Sequence, residues 1–225
     1  MTEHACDEIV LRALERGDVH AAARLMEASG QVISGMRTAR AYRTLCSEAV
    51  LDPRVVVVVG DCRGRLVGYG VGFIDWRRYR RSYGLRHPLL AVSMLAERAL
   101  ASIGLGRRSD SRRLTRLPAP PGVRPAGASG RSWRDSSPEI AKIAEIFVAA
   151  ECRGQGLGSK LVLALYRELA ARGARRVDCR TDIRNAASLR MNDKVGLLME
   201  MTGRNALFGT RDLPASSEDT SDDQL

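Results

Sequence analysis

One stretch limits what this chain can fold into more than any other. It runs from Ile143 to Lys160, I-A-E-I-F-V-A-A-E-C-R-G-Q-G-L-G-S-K, and leads directly into L-V-L-A-L-Y-R-E-L-A-A-R-G. Ile143, Ile146, Phe147 and Val148 form a short run rich in β-branched and aromatic residues, long enough for a buried strand and too short for a buried helix. Gly154, Gly156 and Gly158 then alternate through a turn, and their missing Cβ lets a ligand approach the backbone. Leu161, Leu163, Ala164, Leu165, Leu169 and Ala170 give an apolar helix that Gly173 stops. The helix therefore starts inside the turn, where its first N–H groups and the positive end of its dipole favour an anion. Arg153 adds a fixed positive charge.

The spacing excludes two common phosphate turns. A nucleotide P-loop needs Lys-Ser/Thr after its last glycine, and the dinucleotide fingerprint needs G-x-G-x-x-G. The order here is R-G-Q-G-L-G, from Arg153 to Gly158. It resembles the central motif of the GNAT family of acyl-CoA-dependent N-acyltransferases, V-x-P-x-x-R-G-x-G-x-G. Val148, Arg153, Gly154, Gly156 and Gly158 match, whereas Ala150 stands at the usual proline and Cys152 where an aromatic is frequent. The resemblance implies an α/β GNAT fold, a mixed central sheet with helices on both faces, and acetyl-CoA as acyl donor. It also implies that the backbone around Phe147 and Val148 pairs with the pantetheine arm. Arg153, Gly154, Gln155, Gly156, Leu157, Gly158 and Ser159 would then hold the pyrophosphate.

The order of elements agrees with this. Glu8 to Leu14 alternates as a first strand, Asp18 is placed to cap a helix that Gly30 stops, and Met36 to Val50 reads as a second helix before a turn at Asp52-Pro53. Val55 to Val59 and Leu66 to Ile74 form a hairpin. Gly68, Gly70 and Gly72 leave one face of its second strand bare, the mark of a closely packed helix or of a ligand. After the central motif come a strand at Arg176 to Thr181, a helix at Asn185 to Lys194 ended by Gly196, and short strands at Leu197 to Met201 and Ala206 to Thr210.

Charge is segregated along the chain. Between Asp75 and Asp135 fourteen arginines stand against four acids, an excess equal to the whole net charge of +10. Within that segment the arginines are interleaved with Trp76, Tyr79 and Tyr83, a helix is predicted from His87 to Gly104, and Gly106 to Pro138 reads as a mobile loop. The expected organisation is a GNAT domain over 1–212, a basic helical and disordered insertion over 75–138 between the third and fourth strands, and a disordered acidic tail over 213–225. No run of eighteen apolar residues is present and the N-terminus is polar and acidic, so a cytoplasmic protein is expected. Cys6, Cys46, Cys62, Cys152 and Cys179 lack C-x-x-C spacing and the three histidines are isolated. Reduced thiols and no metal are therefore expected.

Transfer from a thioester to an amine requires removal of an ammonium proton. Glu145 is the one acid in the central strand and the first candidate for this role, with Asp178 and Asp182 behind it. In the family the later helix reads N-x-x-A-x-x-L-Y-x-K-x-G-F, where the resemblance gives the Asn a cofactor contact and the Tyr the leaving thiolate. Here Asn185, Lys194 and Gly196 fit, Ser188 replaces Ala, and Asn192 occupies the Tyr position. An amide can donate a hydrogen bond but is no general acid. Cys152 or water is an alternative partner for the thiolate.

The expected function is acetyl transfer to a primary amine of a small molecule, an amino sugar or amino acid and in one version an anionic one. The arginines of the insertion would then draw it in. Two other readings stand beside it: a catalytically weak acyl-CoA-binding regulatory module, motivated by Asn192, and a nucleic-acid or membrane-surface binder working through the arginine-rich segment. The nucleic-acid reading lacks any recognition-helix or RNP pattern. Oligomeric state, a homodimer among the options, stays open.

Overall fold

The computed structural model describes residues 8–30, 38–89, 92, 120, 122–125, 127–132, 134–202 and 206–214. Seven strands form one sheet in the order β1-β2-β3-β4-β5-β7-β6: β1 Ile9–Ala13, β2 Val55–Cys62, β3 Arg65–Ile74, β4 Ile140–Val148, β5 Arg176–Asp182, β6 Leu198–Met201 and β7 Ala206–Asp212. All neighbours are antiparallel except β4 and β5. Among the described residues five α-helices accompany them: α1 Val19–Ser29, α2 Ala39–Leu51, α3 Trp76–Arg86, α4 Leu157–Ala171 and α5 Ala186–Lys194.

The hairpin of β2 and β3 turns over two residues, Arg63 and Gly64, with φ of 52° and 82°. Positive φ at both positions gives a turn whose twist matches that of the strands it joins. Helix α1 ends at Gly30, which takes φ 65°. Thr38 caps α2 by accepting from the Ala41 N–H at 3.2 Å. Asp18 sits at the start of α1 without capping it. Its carboxylate accepts instead from the Glu15 N–H at 2.9 Å and from Arg12 at 3.0 Å.

Alternation along the valine run puts Val56 and Val58 on one face and Val55, Val57 and Val59 on the other. Helix α4 covers the first face with Leu161, Leu165 and Leu169, each fully buried and each contributing about 1.5–3 kcal/mol of hydrophobic stabilisation. The bare strand face is what admits it. A Cβ on Gly68 would stand 2.9 Å from the Phe147 carbonyl oxygen and 3.0 Å from Leu161, and one on Gly72 would stand 3.2 Å from Leu169. The glycines thus serve helix packing. Helices α1, α2 and α3 cover the opposite face through Ala22, Met26, Tyr42, Leu45, Tyr79 and Tyr83.

Between β3 and β4 the described residues depart from the sequence reading in two ways. Trp76 to Arg86 is helical, with Tyr79 and Tyr83 one turn apart, buried, and packed in an aromatic row with Phe73 and His87. The exposed side chains there are the arginines and Leu85, so these tyrosines offer no stacking platform for bases. The second departure concerns the expected loop over 106–138. Its described part over 122–138 is anchored rather than free: Arg124 pairs with β6 through its N–H to Met199 O at 3.0 Å and its O to Met201 N–H at 3.1 Å. Glu200 accepts from the N–H groups of Gly127 and Ser129 at 2.6 and 2.9 Å, and Arg176 holds Asp135 at 2.9 Å. Most of the helix expected over 87–104 and the acidic tail beyond 214 lie outside the described residues.

Cys46 and Cys179 are buried free thiols, while Cys152 is disulfide-bonded, contrary to the expectation of reduced cysteines throughout. That removes Cys152 as a partner for a leaving thiolate. Among the described residues no helix is long and apolar enough to cross a membrane, and no group of three His, Cys, Asp or Glu side chains could hold a metal ion.

Candidate active site

The site begins where β4 and β5 stop pairing. Their parallel register runs from Ile140 opposite Arg176 to Ile143 opposite Cys179 and goes no further, although β4 continues to Val148 and β5 to Asp182. At the same point β4 carries one extra residue against β3, Ala144, between the pairs Gly72–Ile143 and Val71–Glu145. Such a bulge bends the strand that contains it. Beyond it β4 leans towards β3 and leaves its other edge open. The Ala149 N–H points to Val67 O on β3 at 2.8 Å, so the peptide groups of Val148, one residue back, point the other way into the gap.

That gap is a cleft of about 590 Å³. One wall is Ile146, Val148 and the glycine turn. The other is the end of β5 with the first turns of α5. Gly154 and Gly156 take φ of 81° and 76°, conformations that a side chain would strain. The first helical hydrogen bond of α4 runs from the Lys160 N–H to Gly156 O at 3.1 Å, which leaves the N–H groups of Leu157, Gly158 and Ser159 without a helical acceptor. Gly158 also lies where a Cβ would stand 3.2 Å from Met191 Sδ, so its bareness lets α5 close against α4. An open β-edge leading to unsatisfied N–H groups at a helix start fits an extended amide-bearing arm that ends in a pyrophosphate.

Of the residues predicted to hold a cofactor, Val148, Arg153, Gly154, Gly156, Leu157, Gly158, Ser159 and Asn185 line the cleft. Phe147 and Gln155 do not. The main chain of Phe147 pairs with Tyr69 of β3 and its ring stacks on Tyr69 at 5.5 Å, while Ile146 takes its place at the open edge. Gln155 is exposed in the turn. Arg153 donates from Nε to Val148 O at 3.0 Å, and its guanidinium lies 5.9 Å from the Phe147 ring. Asn185 has a structural role as well, since its side chain caps α5 by accepting from the Ser188 N–H at 3.0 Å.

Glu145 lines the cleft and shares the strand face of Val71 and Tyr69, opposite to α4. Burial pushes its carboxyl up to about 7, against a smaller lowering by the Ile146 N–H. The two lesser candidates are committed elsewhere. Asp178 is fully buried and accepts from Lys142 at 2.5 Å, Arg176 at 3.0 Å and Thr210 at 3.0 Å. Asp182 is bound by Arg184 and held down at about 2, far from the range of a useful base.

Asn192 is buried in the cleft wall. Its amide donates to Thr181 Oγ1 at 3.1 Å and approaches Cys179 Sγ at 3.9 Å, and Thr181 lies 3.4 Å from Ser188 Oγ. Thr181 and Ser188 were not singled out from sequence as cleft hydroxyls. Among the described residues, none from 75–138 lines the cleft. Helix α3 starts beside Ile140, to whose carbonyl Asp75 donates at 3.2 Å, and so lies at the other end of β4 from the glycine turn, roughly 25–30 Å away.

Comparison with known proteins bears on the fold. The chain resembles yncA from Salmonella typhimurium, solved with its cofactor acetyl-CoA, at 14% identity and a TM-score of 0.55 over 96% of this chain and 99% of that one. It resembles a GNAT superfamily phosphinothricin acetyltransferase from Sinorhizobium meliloti in complex with acetyl-CoA at 14% identity and 0.54, over 96% and 94%. A ribosomal-protein-alanine N-acetyltransferase from Brucella melitensis follows at 14% and 0.53, over 91% and 99%. At these identities the likeness is one of fold. No curated protein sequence matches the chain. Residues 23–197 match the family described as acetyltransferase (GNAT) family. With most of its length so matched, the chain belongs to the GNAT family as an acyl-CoA-dependent N-acetyltransferase.

Proposed function

We propose that this enzyme transfers the acetyl group of acetyl-CoA to a primary amine of a small molecule, an amino sugar or an amino acid, by direct attack in the cleft. A cytoplasmic location goes with that acyl donor. The observation that carries the reading is Glu145, a half-buried acid raised to about 7 beside the open edge of β4. A base near pH 7 takes a proton from an ammonium of pKa ~10 far better than a carboxylate near 4, and still loses it to water.

The backbone N–H groups at the start of α4, with Arg153, hold the pyrophosphate. The peptide groups of Ile146 and Val148 hold the pantetheine arm, and the Val148 N–H polarises the thioester carbonyl. The amine approaches from the face of Glu145. On the opposite wall, Thr181 and Ser188 offer hydroxyl donors to the departing thiolate, and Asn192 orients Thr181 by its hydrogen bond. No tyrosine acid is needed, because a thiol is acidic enough to leave as the anion.

A screen for free-thiol release from acetyl-CoA across amino sugars, amino acids, polyamines and peptides tests the reading. Turnover confined to peptides or polyamines would contradict it. Binding of acetyl-CoA without turnover of any amine would favour the regulatory module instead, a reading that the engagement of Asn192 with Thr181 keeps in view.

A further inference from the structure

Arg180 is the one arginine of β5 placed to meet an acceptor. On this strand Val177, Cys179 and Thr181 turn to the face of α4 and α5, where Thr181 meets Asn192. Asp178 and Arg180 therefore turn to the other face, the one that Glu145 shares with Tyr69 and Val71. Pairing between the strands ends at Ile143 and Cys179, so Arg180 is the first residue of β5 past the junction and Glu145 the second of β4. Both line the cleft, on either side of its origin.

The flanking arginines are already occupied. Arg176 is bound to Asp178 and Asp135, and Arg184 to Asp182. The Arg180 side chain is exposed and makes no hydrogen bond or ion pair among the described residues. A guanidinium is a fork of donors suited to a planar carboxylate or a phosphate. The cofactor's own anions have a separate site, on the glycine turn and the α4 start across the sheet. The arginines of α3, at the far end of β4, cannot serve the same purpose by contact.

We propose that Arg180 binds an anionic group of the acceptor while Glu145 faces its amine, so that the substrate class is an amine bearing a carboxylate or phosphate. The proposal rests on the acyl-transfer reading above, and its test does not depend on turnover. Amino acids paired with their amides, and amino-sugar phosphates paired with the free amino sugars, are titrated by calorimetry into protein saturated with CoA. Wild-type protein should bind at least one anionic member more tightly than its neutral partner, and which series does so separates carboxylate from phosphate. Arg180→Gln should weaken that anionic ligand by roughly tenfold or more, leave its neutral partner unchanged, and leave acetyl-CoA affinity unchanged. Arg180→Lys should restore part of the loss. Equal weakening of both partners, loss of acetyl-CoA affinity, or a wild type that prefers no anionic member would overturn the assignment. Failure of thiol release with this binding pattern intact would count against the acetyl-transfer reading alone.

Discussion

Lys142 Nζ lies 2.5 Å from Asp178 Oδ2, a fully buried ion pair between residues in direct register on β4 and β5. One residue further along, pairing of the two strands ends. The pair, with Arg176 and Thr210 also bonded to Asp178, fixes the strands just before they diverge and so sets the position at which the cleft opens.

Removing one partner should be severe. Asp178→Ala leaves the ammonium of Lys142, whose pKa burial already lowers, without its carboxylate. A loss of about 3–5 kcal/mol in urea unfolding is expected. Lys142→Met combined with Asp178→Leu should recover most of it. Any Asp178 variant that stays folded should keep the acid limb of its pH–rate profile, because Asp178 is not the base.

The glycine face makes a ranked prediction. Gly68→Ala puts a Cβ 2.9 Å from a backbone oxygen, that of Phe147, whereas Gly72→Ala meets only methyl groups, of Leu169 at 3.2–3.3 Å and Leu165 at 3.4 Å. Gly68→Ala should be the more destabilising, by about 1–3 kcal/mol. Because Gly68 pairs with Val148, it should also weaken acetyl-CoA binding, and Gly72→Ala should not.

Gly156→Glu sets a carboxylate where the pyrophosphate oxygens would lie. Acetyl-CoA binding by calorimetry should vanish while circular dichroism shows the fold retained. Gly156→Ala carries the same strain of a positive φ without the charge, and should weaken binding far less. Equal losses in the two variants would assign the effect to backbone strain.

Glu145 ties activity to pH. Its carboxyl, raised to about 7 by burial, should give kcat/KM an acid limb near that value, with activity falling as pH drops and the base is protonated. Glu145→Gln should lower kcat/KM by roughly 10²-fold near neutrality and abolish that limb. The linkage to stability has the opposite sense. An acid whose folded pKa is raised is most stabilising while neutral, below its unfolded value, and loses that stabilisation as pH rises through 7. Glu145→Gln should therefore raise Tm at pH 8 relative to wild type and change it little at pH 5.

Asn192 is buried in the cleft wall and bonded to Thr181, at the position where the family usually has tyrosine. Asn192→Tyr should destabilise by about 1–3 kcal/mol through overpacking. Asn192→Ala should lower kcat more than it raises the KM for acetyl-CoA, as Thr181 loses its orienting partner.

What could be read in advance followed from local rules. The Val55 to Val59 run, the stops at Gly30, Gly173 and Gly196, and the strand–turn–helix around Gly156 each carry their signal within a few residues. The divergence of β4 and β5 carries none, because it depends on one extra residue at Ala144 relative to a strand seventy positions away in sequence. Asp178 read as a candidate base because nothing local announces Lys142 across the sheet. Tyr79 and Tyr83 have helical spacing, yet the arginines around them hid a buried face, since a hydrophobic stripe of two side chains is faint in so charged a helix. The 122–138 limb looked structureless because its order comes from Glu200 and Arg176, partners that its own composition does not reveal.

The bridge between Arg124 and Glu200 bears on how the chain emerges from the ribosome. β6 is an outermost strand with Leu198 half exposed, and an uncovered strand margin readily recruits other chains. Its protecting segment is made first and waits without its bridge to β6 until Glu200 has been synthesised and β7 has inserted between β5 and β6. Nascent chains halted between Arg124 and Glu200 would therefore lack the Glu200 anchor for this limb, and chains released with β6 formed but the limb displaced would be the species prone to self-association.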